Sequence, residues 1–474
     1  MTTLAEPRLL VNGRLVSADS TFTVENPATG KPAGHCPVAS SVLLDDAVDA
    51  AQHAGRAWAA DPASRRRALE AIARVLTDNA ETLARTLARE IGLPIKDAGF
   101  EVAAAAGFAR HRAATPLPVD VIHDDERQSV RVHRAPIGVV AAIVPWNAPV
   151  MIAVEKISSA LAAGDTVVLK PSPLAPLTLV LLGGLLADVL PPGVLNIVVG
   201  DDELGAALVS HPGVGMVSFT GSTATGRAIM AAAAPRLRRL SLELGGNDAA
   251  IVLPDVAVEK IAPKIFAGAF YRGGQVCAAI KRLYVHTDVV EPLTAALARV
   301  AEATVLGDPF DPATTMGPIS NAAQFERVRS LVDDALTAGG TAVTGGEPGP
   351  GPGLFYPPTL VTGVGPDTAL VAQEQFGPAL PVIPFDDIDR AVEAANATDF
   401  GLGASVWTSD VSAGAEIAAR LDAGSAWVNR HALVSPEVPF GGTKQSGVGR
   451  ANGSVGLDQY CELHTVSVAR PRTR

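Results

Sequence analysis

Cysteine is scarce in this chain, with only Cys36, Cys277 and Cys461 among 474 residues. So few thiols cannot form the disulfide framework typical of small secreted proteins, and they indicate a reducing, cytoplasmic location. Residues 1–7 lack the charged and apolar zones of a secretion signal. We also expect no membrane anchor, because no uninterrupted apolar stretch reaches the length needed to cross a bilayer. Cys36 and Cys461 are expected only to pack in the interior.

An excess of positive charge is also missing. The 38 basic residues are outnumbered by 49 acidic ones, and the net charge of −11 argues against a nucleic-acid or anionic-membrane partner. A hydrophobic content of 48% with 18% charged residues is typical of a compact globular chain with a large core. The length predicts roughly two to four domains. These features favour a soluble enzyme.

Two nucleotide-binding signatures are absent. No G-x-G-x-x-G stands between a strand and a helix, because residues 447–453 have the wrong final spacing and no strand before them. Residues 221–226 match the frame of a phosphate loop, but Arg227 and Ala228 stand where Lys and Ser or Thr are required. We therefore reject a nucleoside triphosphatase.

The chain does contain a regular alternation of helix-like and strand-like segments, which predicts an α/β architecture with mostly parallel sheets. Residues 43–114 have helical spacing. Apolar runs without alternation, typical of strands buried on both faces, then follow at residues 138–144, 166–169, 194–199 and 215–219, and the pattern restarts at 249–253. We expect a doubly wound nucleotide-binding domain followed by a second α/β domain.

Three polar side chains suggest chemistry. Cys277 lies in a Gly-rich stretch, and Glu243 lies in the segment Leu-Glu-Leu-Gly-Gly-Asn. A thiol and a carboxylate on two flexible loops suggest a nucleophile and a general base, although a free cysteine is more often a small buried hydrophobe. Asn147, between Trp146 and Ala148, is either a turn former or a donor to an oxyanion.

Several motifs accompany these residues in a fixed order. They are Pro145-Trp146-Asn147, Lys170-Pro171-Ser172, residues 218–226, Glu374-Gln375-Phe376 and residues 439–447. Together they closely resemble the aldehyde dehydrogenase superfamily, from about residue 11 to residue 466. The resemblance implies two doubly wound Rossmann-like α/β domains plus a small β oligomerisation arm.

The resemblance also implies a division of the chain. Residues 1–116 and 137–246 would form the dinucleotide-binding domain and residues 247–446 the catalytic domain. Residues 117–136 and 447–474 would form the arm that joins subunits into a homodimer or homotetramer, because exposed strand edges are usually paired with a partner.

A cofactor site for NAD or NADP is implied as well, and no metal. Ser222 and the amides after Gly221 can hold a pyrophosphate at a helix N-terminus, although Ser222 is equally suited to be an ordinary N-cap. The resemblance assigns Lys170 to the adenosine ribose, with a solvated loop lysine as the alternative. It assigns Glu374 to the nicotinamide ribose and Phe376 to the nicotinamide ring, with plain core packing as the alternative for Phe376. The full set is Pro145, Trp146, Lys170, Ser172, Gly221, Ser222, Leu244, Gly245, Glu374 and Phe376.

One departure from the family bears on the choice of cofactor. Pro173 stands where many members have a glutamate that repels the 2′-phosphate of NADP. Ala224 replaces an acidic residue often found at the following helix start. We therefore expect NAD by family frequency and hold use of both cofactors as a hypothesis.

The implied reaction is oxidation of an aldehyde to the carboxylic acid. Cys277 would form a thiohemiacetal and then a thioester, with Asn147 and the Cys277 backbone N–H stabilising the alkoxide. Glu243 would activate the water that hydrolyses the thioester. The resemblance assigns Lys156 and Glu462 to a proton route from Glu243, for which a simple salt bridge is the alternative.

The substrate is a small molecule, expected to be a medium-sized apolar or lightly polar aldehyde. Glu155 either attracts a cationic aminoaldehyde or is an exposed helix glutamate. Transfer to coenzyme A would leave Glu243 unnecessary, and a cysteine hydrolase would need a histidine, of which His286 is the nearest in sequence. Three further departures from the family, with effects left open, are Arg272, Asp248 and Thr443.

Overall fold

The computed structural model describes residues 7–471. Residues 1–6, on which the expectation about a secretion signal largely rests, and residues 472–474, the end of the predicted arm, lie outside the described residues. The strands of the described part are β1 Leu9–Val11, β2 Arg14–Val16, β3 Thr21–Asn26, β4 Lys31–Pro37, β5 Asp120–Asp124, β6 Gln128–Pro136, β7 Val139–Ile143, β8 Thr166–Lys170, β9 Leu195–Ile197, β10 Met216–Thr220, β11 Arg239–Glu243, β12 Asp248–Val252, β13 Ile280–His286, β14 Thr341–Thr344, β15 Thr359–Thr362, β16 Ala379–Phe385, β17 Phe400–Gly401, β18 Gly403–Trp407, β19 Ser425–Val428, β20 Thr443–Lys444, β21 Gly447–Val448 and β22 Cys461–Ala469.

The helices occupy most of the connections between these strands. They are α1 Ser41–Ala60, α2 Pro62–Asp78, α3 Ala80–Ile91, α4 Ile95–Ala114, α5 Pro149–Ala163, α6 Leu177–Leu186, α7 Asp202–Ser210, α8 Thr223–Ala233, α9 Val258–Phe270, α10 Thr287–Glu302, α11 Ala322–Thr337, α12 Ala369–Ala372, α13 Ile388–Asn396, α14 Val411–Ala418 and α15 Gly453–Asp458, with 3-10 turns at Ala234–Arg236 and Tyr271–Gly274.

Two large, mainly parallel sheets organise the chain. The first has the order β2-β1-β9-β8-β7-β10-β11-β21, and the second has the order β14-β15-β16-β13-β12-β18-β19. Strands β9, β8, β7, β10 and β11 are parallel to one another, as are β15, β16, β13, β12, β18 and β19. The observed sheets confirm the predicted fold class. The short strand β21 pairs with β11 in the first sheet, although the predicted arm begins at residue 447.

Helices cover both faces of the first sheet because successive strand residues point to opposite sides. In β7, Val140 belongs to the core formed with α2 to α6, and Val139 and Ala141 belong to the core formed with α1, α7 and α8. The second sheet has the same construction, with α9 and α10 on one face and α13 and α14 on the other. Strands buried on both faces explain why these segments are continuous apolar runs.

Local signals in the sequence begin and end several helices. The Ser40 hydroxyl accepts a hydrogen bond from the Leu43 N–H at the start of α1, and Pro149 occupies the first position of α5. Gly164 ends α5 with φ 100°, a left-handed conformation that favours glycine. Helix α6 ends at Leu186, before the two prolines Pro191 and Pro192.

A third, smaller sheet extends from the first. Strand β6 pairs antiparallel with β5 on one side and with β22 on the other, joining Gln128–Pro136 to Cys461–Ala469. Arg134 of β6 binds Asp120 at 2.6 Å and Asp458 at 3.1 Å, which fastens the sheet to the residues before β22. No helix among the described residues is long and apolar enough to cross a membrane.

We predict that Leu87→Ala lowers the free energy of unfolding by about 2–5 kcal/mol, because Leu87 is 0% exposed in the helical core and its loss leaves a cavity. Urea unfolding followed by tryptophan fluorescence would measure the change. The matched control is Leu237→Ala, in which the leucine is 91% exposed and the expected change is within about 0.5 kcal/mol. Equal effects of the two substitutions would contradict the core assignment.

Candidate active site

The chemistry-bearing motifs follow the carboxyl ends of neighbouring parallel strands. Trp146 and Asn147 follow β7, Lys170 ends β8, Gly221 follows β10 and Glu243 ends β11. These strands are adjacent in the sheet order, so their ends meet at one edge. In doubly wound folds this edge is where ligands bind.

A cleft of about 660 Å³ lies at this edge. Predicted cofactor residues line it from three successive strand ends; they are Pro145, Trp146, Lys170, Ser172, Gly221 and Ser222. Ser222 is also the N-cap of α8, since its hydroxyl accepts a hydrogen bond of 3.2 Å from the Thr225 N–H. The two alternatives for Ser222 are therefore compatible, because a capped helix N-terminus still has further N–H groups for an anion.

The other predicted cofactor residues lie beyond Trp146. The rings of Trp146 and Phe376 meet edge to face with centroids 5.5 Å apart. The Glu374 carboxylate accepts a 3.0 Å hydrogen bond from the Gly246 N–H. Glu374 lies so close to Gly245 that a Cβ there would collide with it. Glycine at position 245 thus leaves room for the Glu374 carboxylate.

Leu244, the remaining predicted cofactor residue, is held by its backbone. Its N–H donates to the Ser446 carbonyl at 2.9 Å, and its side chain lies where a Cβ on Gly226 would stand. Glycine at position 226 thus allows α8 to pack closely on the loop after β11.

Cys277 lies in the loop between the Tyr271–Gly274 turn and β13. Burial raises the pKa of its thiol to about 12; the Lys281 ammonium opposes the shift, and the carboxylates of Asp248, Glu374 and Glu243 add to it. The thiol is therefore protonated at neutral pH. The Lys281 ammonium also donates to the Cys277 carbonyl at 2.5 Å.

Asn147 is buried against this loop. Its side-chain amide donates to the Gln275 carbonyl at 2.9 Å, two residues before Cys277. The start of the following helix, α5, is fixed by Glu101, whose carboxylate accepts hydrogen bonds from the N–H groups of Val150 and Met151. The structure thus brings Asn147 and the Cys277 loop together.

Arg272, one of the departures from the family, contributes to the same arrangement. Its guanidinium binds the Glu101 carboxylate at 2.5 Å, and both side chains are buried. A buried carboxylate is stable when it is paired and hydrogen-bonded. Arg272 therefore links the cysteine loop to the helix start that follows Asn147.

Glu243 is buried, and neither of its carboxylate oxygens has a hydrogen-bond partner among the described residues. Burial raises its pKa to about 8; Lys156 opposes the shift, and Glu155 adds to it. Gly441 lies against the carboxylate, since a Cβ there would stand 2.7 Å from Oε1. A carboxyl group with such a pKa is suited to accept a proton near neutral pH.

Lys156 is a buried cation that influences Glu243. Its ammonium donates to the Ser218 hydroxyl at 3.0 Å, and that hydroxyl is 2.8 Å from the Tyr460 hydroxyl. All three side chains are buried. Burial lowers the pKa of Lys156, while Glu155 and Glu243 oppose that shift.

Glu462 occupies a different place from the one that the resemblance implies. Its carboxylate makes two hydrogen bonds of 2.7 Å to Arg239, and both side chains are about half exposed. The structure does not bring Glu462 to Lys156, because β22 directs its carboxylate to the start of β11.

Glu155 is only 8% exposed, so the interpretation as an exposed helix glutamate is wrong. Its carboxylate accepts a 3.3 Å hydrogen bond from Ser159. Glu155 also raises the pKa of the buried Arg112, against the lowering by desolvation. Consecutive residues Glu155 and Lys156 are both buried because α5 is enclosed on most of its circumference.

Sequence reasoning missed Lys281, Ser218 and Tyr460. Lys281 contacts the Cys277 carbonyl, lies 3.2 Å from the Glu374 carboxylate and stands 5.8 Å from the centre of the Phe376 ring. A lysine at the start of an otherwise apolar strand is a signal that could have found it. No comparable sequence signal marks Ser218 and Tyr460, because they are 242 positions apart and meet only in the folded chain.

The other two departures from the family are Asp248 and Thr443. Asp248 is buried, and the His431 ring lies 3.6 Å from its carboxylate. The Thr443 hydroxyl donates to the carbonyls of Gly401 and Asp422. Thr443 thus joins β20 to β17 and to the segment before β19. Within residues 7–471, no cluster of three or more His, Cys, Asp or Glu side chains is arranged to hold a metal ion.

The fold and this edge define a class: an oxidoreductase built on two doubly wound α/β sheets, with a cleft at the strand ends and a partly exposed cysteine, Cys277. The chain matches the aldehyde dehydrogenase family over residues 15–466 and belongs to that family. It is therefore an NAD(P)-dependent aldehyde dehydrogenase, as the sequence predicts.

Named relatives agree with this membership. The chain is 39% identical to phenylacetaldehyde dehydrogenase of Pseudomonas fluorescens, covering 98% of this chain and 96% of that one. The aldehyde dehydrogenase of Bacillus cereus, solved with NAD+, superposes with a TM-score of 0.96 at 36% identity and covers 98% of this chain and 97% of that one. A 3,6-anhydro-L-galactose dehydrogenase solved with NADP gives a TM-score of 0.94 at 35% identity and covers 98% of this chain and 100% of that one.

Alkylation of Cys277 by iodoacetamide is predicted to be slow near pH 7.5 and to accelerate about tenfold per pH unit, because the thiolate is the reactive form and its pKa is raised to about 12. Peptide mapping by mass spectrometry separates Cys277 from the two other cysteines, which are both buried. Fast alkylation that does not change between about pH 7 and pH 9 would contradict the desolvated thiol.

Proposed function

We propose that this chain oxidises an aldehyde to the carboxylic acid through a thiohemiacetal and a thioester on Cys277, with Glu243 activating the hydrolytic water. The observation that carries the proposal is the buried Glu243 carboxyl group, which ends β11 and has no hydrogen-bond partner among the described residues. It lies at the same sheet edge as Asn147, whose amide contacts the Cys277 loop. Glu243 and Cys277 would thus serve as general base and nucleophile of one site.

The residues around the cleft fit a dinucleotide. Lys170, Ser172, Gly221 and Ser222 would hold the adenosine ribose and the pyrophosphate, while Glu374 would hold the second ribose. When bound, the nicotinamide ring accepts a hydride. Trp146 and Phe376, in contact edge to face, would position the cofactor at the ring end of the cleft.

In the first half-reaction the thiol must lose its proton. That proton would pass to solvent water while Sγ of Cys277 forms a bond to the aldehyde carbon. The carbonyl oxygen then becomes an alkoxide. The Asn147 amide and the Cys277 backbone N–H would stabilise it, and the loss of one such donor costs about 3–4 kcal/mol of barrier.

Loss of a hydride from the carbon that bears the alkoxide would leave the thioester, which water must attack in the second half-reaction. Glu243 would take a proton from water as the oxygen bonds to the acyl carbon, and the carbon–sulfur bond then breaks to release the acid. The thiol regains its proton as it leaves. This use of water, and not coenzyme A, is supported by the buried carboxylate.

The proton held by Glu243 would pass towards Lys156, whose pKa is lowered by burial. Ser218 and Tyr460 would orient the Lys156 ammonium through the chain of hydroxyl contacts. The proposal leaves Glu462 out of this route, because its carboxylate is occupied by Arg239.

For the substrate we propose a medium-sized apolar or aromatic aldehyde. The phenylacetaldehyde dehydrogenase relative supports this class. A cationic aminoaldehyde is disfavoured, because Glu155 is buried and faces Ser159 and Arg112. A cytoplasmic location stays a prediction.

Cys277→Ala is expected to abolish reduction of the nicotinamide cofactor. Glu243→Gln should retain a first-turnover burst and slow the steady state by about 10²–10⁴-fold, because only deacylation then lacks its base for water. Rapid-mixing absorbance of the reduced nicotinamide measures both phases.

The matched controls are Cys36→Ala and Glu259→Gln, and Glu259 is an exposed carboxylate paired with Arg299. Both should keep the burst and the steady rate. Retained activity in Cys277→Ala, or equal loss of burst and steady state in Glu243→Gln, would count against the assigned roles.

We also propose that the sheet of β5, β6 and β22 joins subunits into a dimer or tetramer. Apolar side chains on it are exposed, namely Val121, Ile122, Leu463, Val466 and Val468. Sedimentation velocity should find an oligomer, and Leu463→Asp with Val468→Asp should shift it towards the monomer. A monomeric unmodified protein at micromolar concentration would refute this assembly.

A further inference from the structure

The cleft contains one acidic side chain whose role the family resemblance does not supply. Asp202 lines it together with Lys170, Ser172 and Pro173. Asp202 is the first residue of α7, so it reaches the cleft from the loop after β9 and not from the loop after β8. Pro173 therefore leaves the loop after β8 without an acidic residue, and the loop after β9 supplies Asp202 instead.

Lys170 and Asp202 both line this part of the cleft. Lys170 is 4% exposed, and its aliphatic chain runs along α7, with Cε 3.5 Å from the position of a Cβ on Gly205. Burial lowers the pKa of Lys170, and Asp202 followed by Asp201 opposes the shift. The ammonium that would bind the adenosine ribose thus shares this end of the cleft with a carboxylate.

The adjacent carboxylate of Asp201 has another task. It caps α7 by accepting hydrogen bonds of 3.1 Å from the N–H groups of Glu203 and Leu204. Asp202 accepts no such hydrogen bond among the residues that the structure describes, and it is exposed to the cleft. Its charge is therefore available to a ligand.

The other residues that line the cleft carry little positive charge that could bind a phosphate. Among the described residues that line the cleft, Lys170 is the one cation and Asp202 the one anion, and no arginine is present. Enzymes of doubly wound folds that bind NADP commonly place an arginine at the 2′-phosphate, whereas an acidic residue accompanies the free 2′-hydroxyl of NAD. The start of α7, which could otherwise attract a phosphate, carries Asp202 itself.

We infer that Asp202 makes this enzyme prefer NAD by placing a carboxylate beside Lys170 where the 2′-phosphate of NADP would have to lie. The inference rests on the proposed cofactor site and deepens it. It replaces the expectation that the loss of an acidic residue at position 173 opens the site to NADP.

The test is isothermal titration of the cofactor-free protein with NAD and with NADP, for the unmodified chain and for Asp202→Asn. Removal of one negative charge near a phosphate that carries roughly two should lower the ratio of the NADP to the NAD dissociation constant about tenfold at low ionic strength. Because exposed charges are screened by salt, this difference between the two proteins should shrink at about 0.5 M salt.

Glu203→Gln is the matched control, since it removes the same charge one residue further along α7 without lining the cleft. The inference is overturned if Asp202→Asn changes the ratio less than about twofold, or if Glu203→Gln changes it equally. If NAD binds the unmodified protein but Asp202→Asn leaves the ratio of dissociation constants unchanged, only the role of Asp202 is refuted. If neither dinucleotide binds the unmodified protein, the proposed function fails and this inference with it.

Discussion

Desolvation of ionisable groups is the constraint on which the site depends. Burial raises the pKa of the Cys277 thiol to about 12 and that of the Glu243 carboxyl to about 8, so both groups hold protons more firmly than they would in water. A buried charge needs partners or it becomes neutral. The fold provides two cations, Lys281 at the thiol loop and Lys156 near the carboxyl, and these oppose the shifts without abolishing them.

Lys281 connects parts of the site that the sequence separates widely. Its ammonium touches the carbonyl of Cys277 and the carboxylate of Glu374, and it also stands near the ring of Phe376. A group that contacts the nucleophile loop and two proposed cofactor residues makes their positions interdependent. Its place at the beginning of β13, a buried central strand of the second sheet, gives it a rigid base.

The sequence predicts the fold and the strand-end positions of the motifs well, because both depend on short-range patterns. Apolar runs gave the strands β7, β8, β10 and β12 almost to the residue, and strand ends in parallel sheets converge by geometry. The burial and contacts of individual side chains were harder to predict from the sequence. Glu155 lies on the helix that carries Lys156, yet periodicity could not reveal that this helix is enclosed on most sides.

Long-range pairings account for what sequence reasoning missed or misplaced. Glu462 is near Arg239 only because β22 crosses beside the end of the first sheet, and Asp202 reaches the cleft only because α7 starts next to β8's end. A carboxylate lost at one position and supplied by another loop is invisible to a comparison made position by position. Charge in a cleft is a property of its surface, whichever segment supplies it.

The hydrogen bond from the Asn147 amide to the Gln275 carbonyl crosses from the loop after the first sheet to the cysteine loop beside the second. The buried pair of Arg272 and Glu101 makes a second crossing close by. Hinge opening between the two sheets would break both contacts and leave a buried carboxylate without its cation. Both contacts therefore oppose separation of the two sheets at this point of the site.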